Sequence, residues 1–154
     1  MVISQIVRTP IELLQSPSFL LKRLGTIAKE KTVDAFESAG ATAYSYAVLA
    51  VLEEGTRETQ ATIADALCYD RSYLVGLLDE LEERGLIERR RDPDDRRRHI
   101  VSMTTSGRKE LARLRAVHET VDADMFATLT AAERKTLEGL LAKVAAAHDP
   151  RYSR

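Results

Sequence analysis

Apolar residues recur at helical spacing over most of this chain, and the pattern shortens to that of strands only between Leu86 and Met103. The clearest stripe is Leu74, Leu77, Leu78 and Leu81, at i, i+3, i+4 and i+7. Asp70 precedes it as a candidate N-cap, short enough to accept hydrogen bonds from the unpaired N–H groups of the first turn. Gly85, after Arg84, stands where a helix stops on a left-handed residue. Ile63, Ala64 and Leu67 give a shorter preceding helix a face to pack against it. Beyond Gly85, Leu86-Ile87-Glu88-Arg89-Arg90-Arg91 runs into Asp92-Pro93-Asp94-Asp95, a turn by composition, and Arg96 to Met103 runs back. That predicts a hairpin in which Arg91 and Arg98 fit either strand or loop.

The rest of the chain predicts helices. Met1 to Gln15 is mixed, broken by Pro10, and reads as a mobile arm or an irregular lead-in. Ser16-Pro17 starts a helix that runs to about Ser38, with Leu20, Leu24, Ile27, Ala28 and Phe36 as expected buried positions and Ala39-Gly40 ending it. Thr42 opens a second, with Tyr44, Ala47, Val48 and Val51 on one face and Glu53-Glu54-Gly55 closing it; Thr56 to Glu58 is a short link. Thr104 caps a long helix to about Thr128, whose apolar side is Leu111, Leu114, Val117, Val121 and Met125. Thr130-Ala131-Ala132-Glu133 is a capping box opening a last helix with Leu137, Leu140, Leu141 and Val144, which stops near His148-Asp149-Pro150. Arg151 to Arg154 is a polar tail expected to fray.

Two helices joined by a turn and followed by a hairpin make a winged helix. The expected fold is mainly α with a small β-wing: a winged helix-turn-helix lobe over residues 42–103, flanked by long terminal helices at 16–38 and 104–148, within a single domain of residues 1–154. The lobe is compact by itself, and the flanking helices carry apolar stripes that cannot all be buried on it. A second subunit, with the terminal helices interlocking about a two-fold axis, is the economical solution; a monomeric core completed by the same helices is the simpler alternative.

Composition narrows the function. The chain has 154 residues, 44% apolar and 5% aromatic with no Trp, so one domain with an aliphatic core is expected. Its 23 basic and 24 acidic residues leave a net charge of −1, so any affinity for a polyanion must come from local asymmetry. From Arg84 to Arg98 there are seven arginines against four acidic residues. A helix N-terminus can enter a major groove while a basic hairpin tip reaches the adjacent backbone or minor groove, which points to duplex DNA. A single Cys precludes an intrachain disulfide and fits a reducing compartment. With no signal peptide and no membrane-length apolar run, the cytoplasm is the expected location.

In the first turn of the second short helix, Arg71 suits bidentate pairing with guanine and Ser72 suits donation to a base or phosphate, with Tyr73 beside them. Val75 and Gly76 suit contact with thymine methyls or close backbone approach; packing is the plain reading for Tyr73 and Val75. Asp79, Glu80, Glu82 and Glu83 make the far end acidic, consistent with N-terminal insertion. In the hairpin, Arg96 and Arg98 suit phosphate contacts, and alternation would point some of Arg89, Arg90 and Arg91 toward DNA. A solvated charged hairpin is the bland alternative.

The stretch ALCYDRSYLVGLLDELEERGLIERRRDPDDRRRHIVSMTTSG resembles the signature of the MarR family (multiple antibiotic resistance regulators). The matching features are the helix ending Leu81-x-x-x-Gly85-Leu86-Ile87, the wing Asp92-Pro93-x-Asp95-x-Arg97, and the strand leading into Met103-Thr104-Thr105-Ser106-Gly107. Long helices on both sides extend the resemblance over roughly Ser16 to His148. It implies a homodimeric transcriptional regulator that binds a palindromic operator, usually a repressor released by a ligand. It also implies that Arg97 enters the minor groove, braced by Asp95 through a charge-assisted hydrogen bond. A small-molecule pocket between dimerisation helices and DNA-binding lobe is implied too, with Phe19, Arg23, Tyr44, Tyr46, Ala47 and His118 as candidate lining; the same residues serve as core equally well. Aromatic acids and lipophilic phenols are the usual inducers in the family.

Two positions depart from the family pattern. Cys68 replaces the usual Gly of the turn before the recognition helix and admits a redox-responsive reading, although the family's peroxide-sensing cysteine lies near the N-terminus; a half-buried inert thiol is the plainer expectation. Tyr73 stands where a small Ser or Thr is usual, which leaves the base preference open. His118, Asp122 and Asp124 raise a metal reading, set against a polar helix face with no second His nearby in sequence. No metal or other cofactor is expected. No nucleophile–base constellation, phosphate loop or supported carboxylate pair points to an enzyme. A winged helix that binds protein instead of DNA is the remaining rival, and it would not need three arginines after the wing turn.

Overall fold

A computed structural model describes residues 8–55 and 57–153. It contains α1 (Ile11–Leu14), α2 (Pro17–Ser38), α3 (Ala43–Glu54), α4 (Gln60–Leu67), α5 (Arg71–Glu83), β1 (Ile87–Arg91), β2 (His99–Met103), α6 (Thr105–Met125), α7 (Ala131–His148) and a short 3₁₀ turn, Pro150–Tyr152. The mainly helical winged fold is therefore present. Residues 1–7 of the expected lead-in, Thr56 and Arg154 lie outside the described residues; the rest of the lead-in holds the one-turn helix α1 after Pro10.

Helix starts follow the expected chemistry. Ser16, Thr42, Asp70, Thr104 and Thr130 each accept from a first-turn amide, and Thr130–Glu133 closes a capping box. Each cap contributes about 1 kcal/mol. A second capping box, Thr59 with Thr62, went unread because Thr at the third helical position is outside the usual Ser/Thr-x-x-Glu pattern.

The core forms where α3, α4, α5, the hairpin and the near halves of α2 and α6 meet. Leu74, Leu77, Leu78 and Leu81 are buried in one cluster with Ile63 and Ala64 of α4 and Val48 and Leu49 of α3. Burial of each such side chain contributes about 1.5–3 kcal/mol. In β1 and β2, Ile87 pairs with Met103 and Arg91 with His99, so Arg91 belongs to the strand and Arg98 to the loop. A third edge comes from the stretch expected to be only a link: Thr59 bridges to Ile100, and the Val101 N–H donates to the Glu58 carbonyl at 2.8 Å. Gly107 lets α6 start hard against this hairpin, since a Cβ there would lie 2.1 Å from the Leu86 carbonyl oxygen. The Thr104 hydroxyl also donates to the Gly85 carbonyl at 2.7 Å.

Several expected buried faces are placed differently. In α3 the buried row is Ser45, Val48, Leu49 and Leu52; Tyr44 is exposed, and Ala47 and Val51 are half-buried. The helix is apolar nearly all round, so its sequence did not single out the core face. In α2 only Phe36 is buried, while Leu20 and Leu24 are exposed and Ile27 and Ala28 half-buried. Helix α6 ends at Met125 instead of Thr128. None of the 18 residues of α7 is buried, and Leu140, Leu141 and Val144 are exposed. A stripe in sequence shows that a face suits burial, not that the same chain covers it.

The C-terminal tail is anchored and not frayed over its described part. The Arg151 guanidinium donates to the Asp149 carboxylate and, at 3.0 Å, to the Asp65 carbonyl at the end of α4. The turn between α4 and α5 carries Cys68 at φ +56°, the left-handed region, and its thiol is exposed, not half-buried. A side chain in that region costs about 1–2 kcal/mol, partly offset by the greater unfolded-state freedom of glycine. Cys68→Gly should therefore raise stability by about 0.5–1 kcal/mol, read as a higher urea midpoint at unchanged m-value. A lower midpoint would show that the thiol makes a compensating contact.

Candidate nucleic-acid interface

The sequence at the α5 N-terminus builds a fixed, outward-facing helix tip. Asp70 Oδ1 accepts from the backbone N–H groups of Ser72 at 2.9 Å and Tyr73 at 3.0 Å, and from the Ser72 hydroxyl. These bonds, the hydroxyl foremost, hold the Asp70 carboxyl below its usual range. The Ser72 hydroxyl, donating to Asp70 here, keeps its oxygen lone pairs free as acceptors. Arg71 is largely exposed, with Asp65 3.9 Å away as a loose partner. Val75 is partly exposed, and Gly76 is open, a Cβ there meeting nothing within 4 Å. The Tyr73 ring is half-exposed and packs edge-on against Tyr44 and Tyr69.

The acidic second half of α5 has a specific partner. Arg89 on β1 donates from Nε and Nη2 to Glu82 at 2.8 and 2.6 Å, from its backbone N–H to Glu82 at 2.9 Å, and from Nη2 to Asp79 at 2.6 Å. Arg89 is therefore occupied in fixing the wing stem to the recognition helix, and Arg90 pairs with Glu88 at 3.1 Å.

The wing tip is shaped by two carboxylates. Asp92 is buried; its backbone N–H donates to the Arg98 carbonyl at 3.0 Å and its carboxylate accepts the Asp94 N–H at 2.9 Å. Arg57, before α4, donates to Asp92 at 2.7 Å and Asp94 at 2.9 Å. The Asp94 amide, then Arg57, lower the Asp92 pKa against the opposing cost of burial. This clamp is accordingly complete above the ordinary carboxylate range and lost only as pH falls through the lowered value. Sequence reading missed Arg57, since 35 residues separate it from Asp92 and no local spacing signals the contact. Asp95 accepts from the backbone N–H of Arg97 at 3.1 Å, and its carboxylate lies 3.4 Å from Nε of both Arg97 and Arg98. Arg97 is nevertheless 92% exposed, and Arg96 is exposed beside it.

Between wing and helix-turn-helix lies a cleft of about 690 Å³, lined by Thr59, Gln60, Thr62, Arg97, Arg98 and His99 among others. The first turn of α4, the positive end of its dipole, opens on it. Its lining also includes the Glu82 carboxylate, paired with Arg89, so the more exposed guanidinium groups of Arg97 and Arg98 are its cationic side.

The remaining candidates separate. Tyr46 stacks on His118, ring centroids 5.3 Å apart, with Phe36 5.6 Å from Tyr46. These residues join α2, α3 and α6, with half-buried Ala47 next to Tyr46 on α3. Phe19 and Arg23 sit on the N-terminal half of α2, and Tyr44 belongs to the phenol cluster with Tyr69 and Tyr73. His118 lies 3.7 Å from Asp122, whereas Asp124 pairs with Lys31. Among the described residues, no three potential ligands converge as a metal site would need.

The sequence model of the MarR family matches residues 42–99. A protein of Thauera aromatica assigned to transcriptional regulation of the hcr operon is 40% identical over 105 residues, 68% of this chain; the chain spans 63% of that protein's length. A MarR-family transcriptional regulator from Rhodococcus sp. RHA1 superposes with TM-score 0.73 at 30% identity, over 85% of this chain and 96% of that one. The transcriptional repressor CouR bound to a 23-mer DNA duplex gives TM-score 0.78 at 31% identity, over 90% and 99% of the two chains. CouR from Rhodococcus jostii RHA1 bound to p-coumaroyl-CoA gives 0.70 at 30%, over 86% and 94%. With an exposed helix tip, a cationic wing and relatives matched across nearly their whole solved length, the chain belongs to the MarR family of transcriptional regulators, which are not enzymes.

Proposed function

We propose that this regulator acts as a homodimeric repressor of an inverted-repeat operator and is released by a small aromatic or lipophilic effector. The observation that carries the reading is an outward-facing first turn of α5, with Arg71 largely exposed, in the same lobe as a wing whose Arg97 guanidinium is 92% exposed. Arg71, Ser72, Tyr73, Val75 and Gly76 face the major groove. Arg97 enters the minor groove with Asp95 orienting it, and Arg96 and Arg98 meet phosphates. Residues 42–103 form the reading lobe of a single domain, and 16–38 with 104–148 form the dimer. Exposed Leu20, Leu21 and Leu24 on α2 and the row on α7 are the surfaces a partner copy would cover. Solved structures of CouR bound to a DNA duplex and bound to p-coumaroyl-CoA support both halves of the reading. An effector held near the Phe36–Tyr46–His118 cluster would sit where α2, α3 and α6 meet and would favour a spacing of the two recognition helices that no longer fits both half-sites.

The test uses duplexes enriched by the protein from a randomised pool. We expect an inverted repeat, two protomers per duplex, and a single half-site bound about 100-fold more weakly. Addition of p-coumaroyl-CoA is the first effector trial. One protomer per duplex with equal affinity for the half-site would remove the dimeric operator reading.

A further inference from the structure

Three phenol rings meet at the reading head. Tyr44 on α3 lies 5.3 Å from Tyr69 in the turn and 5.3 Å from Tyr73 on α5, with interplanar angles of 67° and 68°. Tyr69 and Tyr73 are 6.3 Å apart at 79°. All three pairs are edge-to-face, at the favoured separation for aromatic pairs. Tyr69 is the most covered of the three, and burial, followed by the two neighbouring phenols, pushes its hydroxyl up to about 12. Tyr69 is therefore neutral across physiological pH. Tyr73 is the third residue of α5, its N–H is tied to Asp70, and its ring remains half-exposed. At 100° per residue it lies on one flank of the outward face that carries Ser72 and Gly76.

Resting on the DNA-reading function proposed above, we infer that Tyr44 is a positioning residue for sequence recognition: it holds the Tyr73 phenol in one rotamer beside the base-reading edge of α5. A free tyrosine on a helix flank would lose side-chain freedom on docking. A ring already wedged between Tyr44 and Tyr69 has lost it beforehand, so its contact with DNA costs less and discriminates more sharply. The device also accounts for a bulky aromatic at a position where the family pattern has a small hydroxyl residue. A side chain on α3, outside the helix-turn-helix pair, thereby tunes which sequence is preferred.

The experiment is a double-mutant cycle on Tyr44→Leu and Tyr73→Leu, with Tyr44→Phe as the conservative variant. Binding is measured to a duplex enriched by the wild-type protein and to a scrambled duplex. The expected result is that Tyr44→Leu lowers the ratio of specific to nonspecific affinity about fivefold or more, as Tyr73→Leu does. The double variant should be no worse than Tyr73→Leu within about twofold, because Tyr44 acts through Tyr73. Tyr44→Phe, which keeps the ring edges, should retain the wild-type ratio. Losses that multiply, or an unchanged ratio in Tyr44→Leu, would overturn the inference while leaving the DNA-reading function standing. Urea midpoints separate a general loss of fold, which lowers both affinities alike, from a change in their ratio. A wild-type protein that enriches no sequence would sink the underlying function and this inference with it.

Discussion

Arg97→Ala should weaken operator binding at least about tenfold and reduce the slope of log affinity against log salt by about one. The side chain is 92% exposed, so its removal costs the fold almost nothing; stability should stay within about 0.5 kcal/mol of wild type. The size of the binding loss comes from preorganisation. Asp95 already orients the guanidinium, the buried Asp92 shapes the loop, and Arg57 ties that loop to the body. Arg97→Lys should restore the salt slope but only part of the affinity, since an ammonium supplies the charge without the planar fork. Anisotropy titrations at several salt concentrations read both quantities. Equal affinity for wild type and Arg97→Ala would take the wing out of recognition and leave α5 as the sole contact.

The second large effect is expected on α7. Leu140→Glu combined with Val144→Glu should leave the secondary structure intact, turn a dimer into a monomer at micromolar concentration, and lower operator affinity by about 100-fold or more. In the isolated chain both side chains are already solvent-facing, so added carboxylates have nothing within the chain to disrupt. In a symmetric dimer each substitution places an unpaired charge against apolar surface twice, which is why a small local change reads out as a change of assembly. Sedimentation equilibrium decides the matter. A wild-type chain that is monomeric, or a doubly substituted chain that remains dimeric, would show that the exposed leucines of α7 serve something other than self-association.

These two regions also differ in how much the sequence disclosed. The wing was legible because its chemistry is local: a turn-forming Asp-Pro, arginines on both sides, and an Asp two residues before Arg97. The recognition helix was legible for the same reason, a cap, a leucine row and a glycine stop within sixteen residues. Arg57 at the wing tip and the grip of Arg89 on Glu82 and Asp79 were not, because they join charges from different elements and no periodicity encodes a pairing of that kind.

Sequence alone determined the element order, nearly every helix start, the hairpin and the membership in a family, since all of these follow from short-range spacing and capping chemistry. Only tertiary structure decided which faces are covered. It turned the buried side of α3 toward Ser45, Val48, Leu49 and Leu52, left α7 without a buried residue, and set the Tyr44 ring against Tyr69 and Tyr73. The physical reason is that burial is a property of pairs of surfaces. A helix stripe states that a side chain favours leaving water, but its destination depends on what the rest of the chain has already filled.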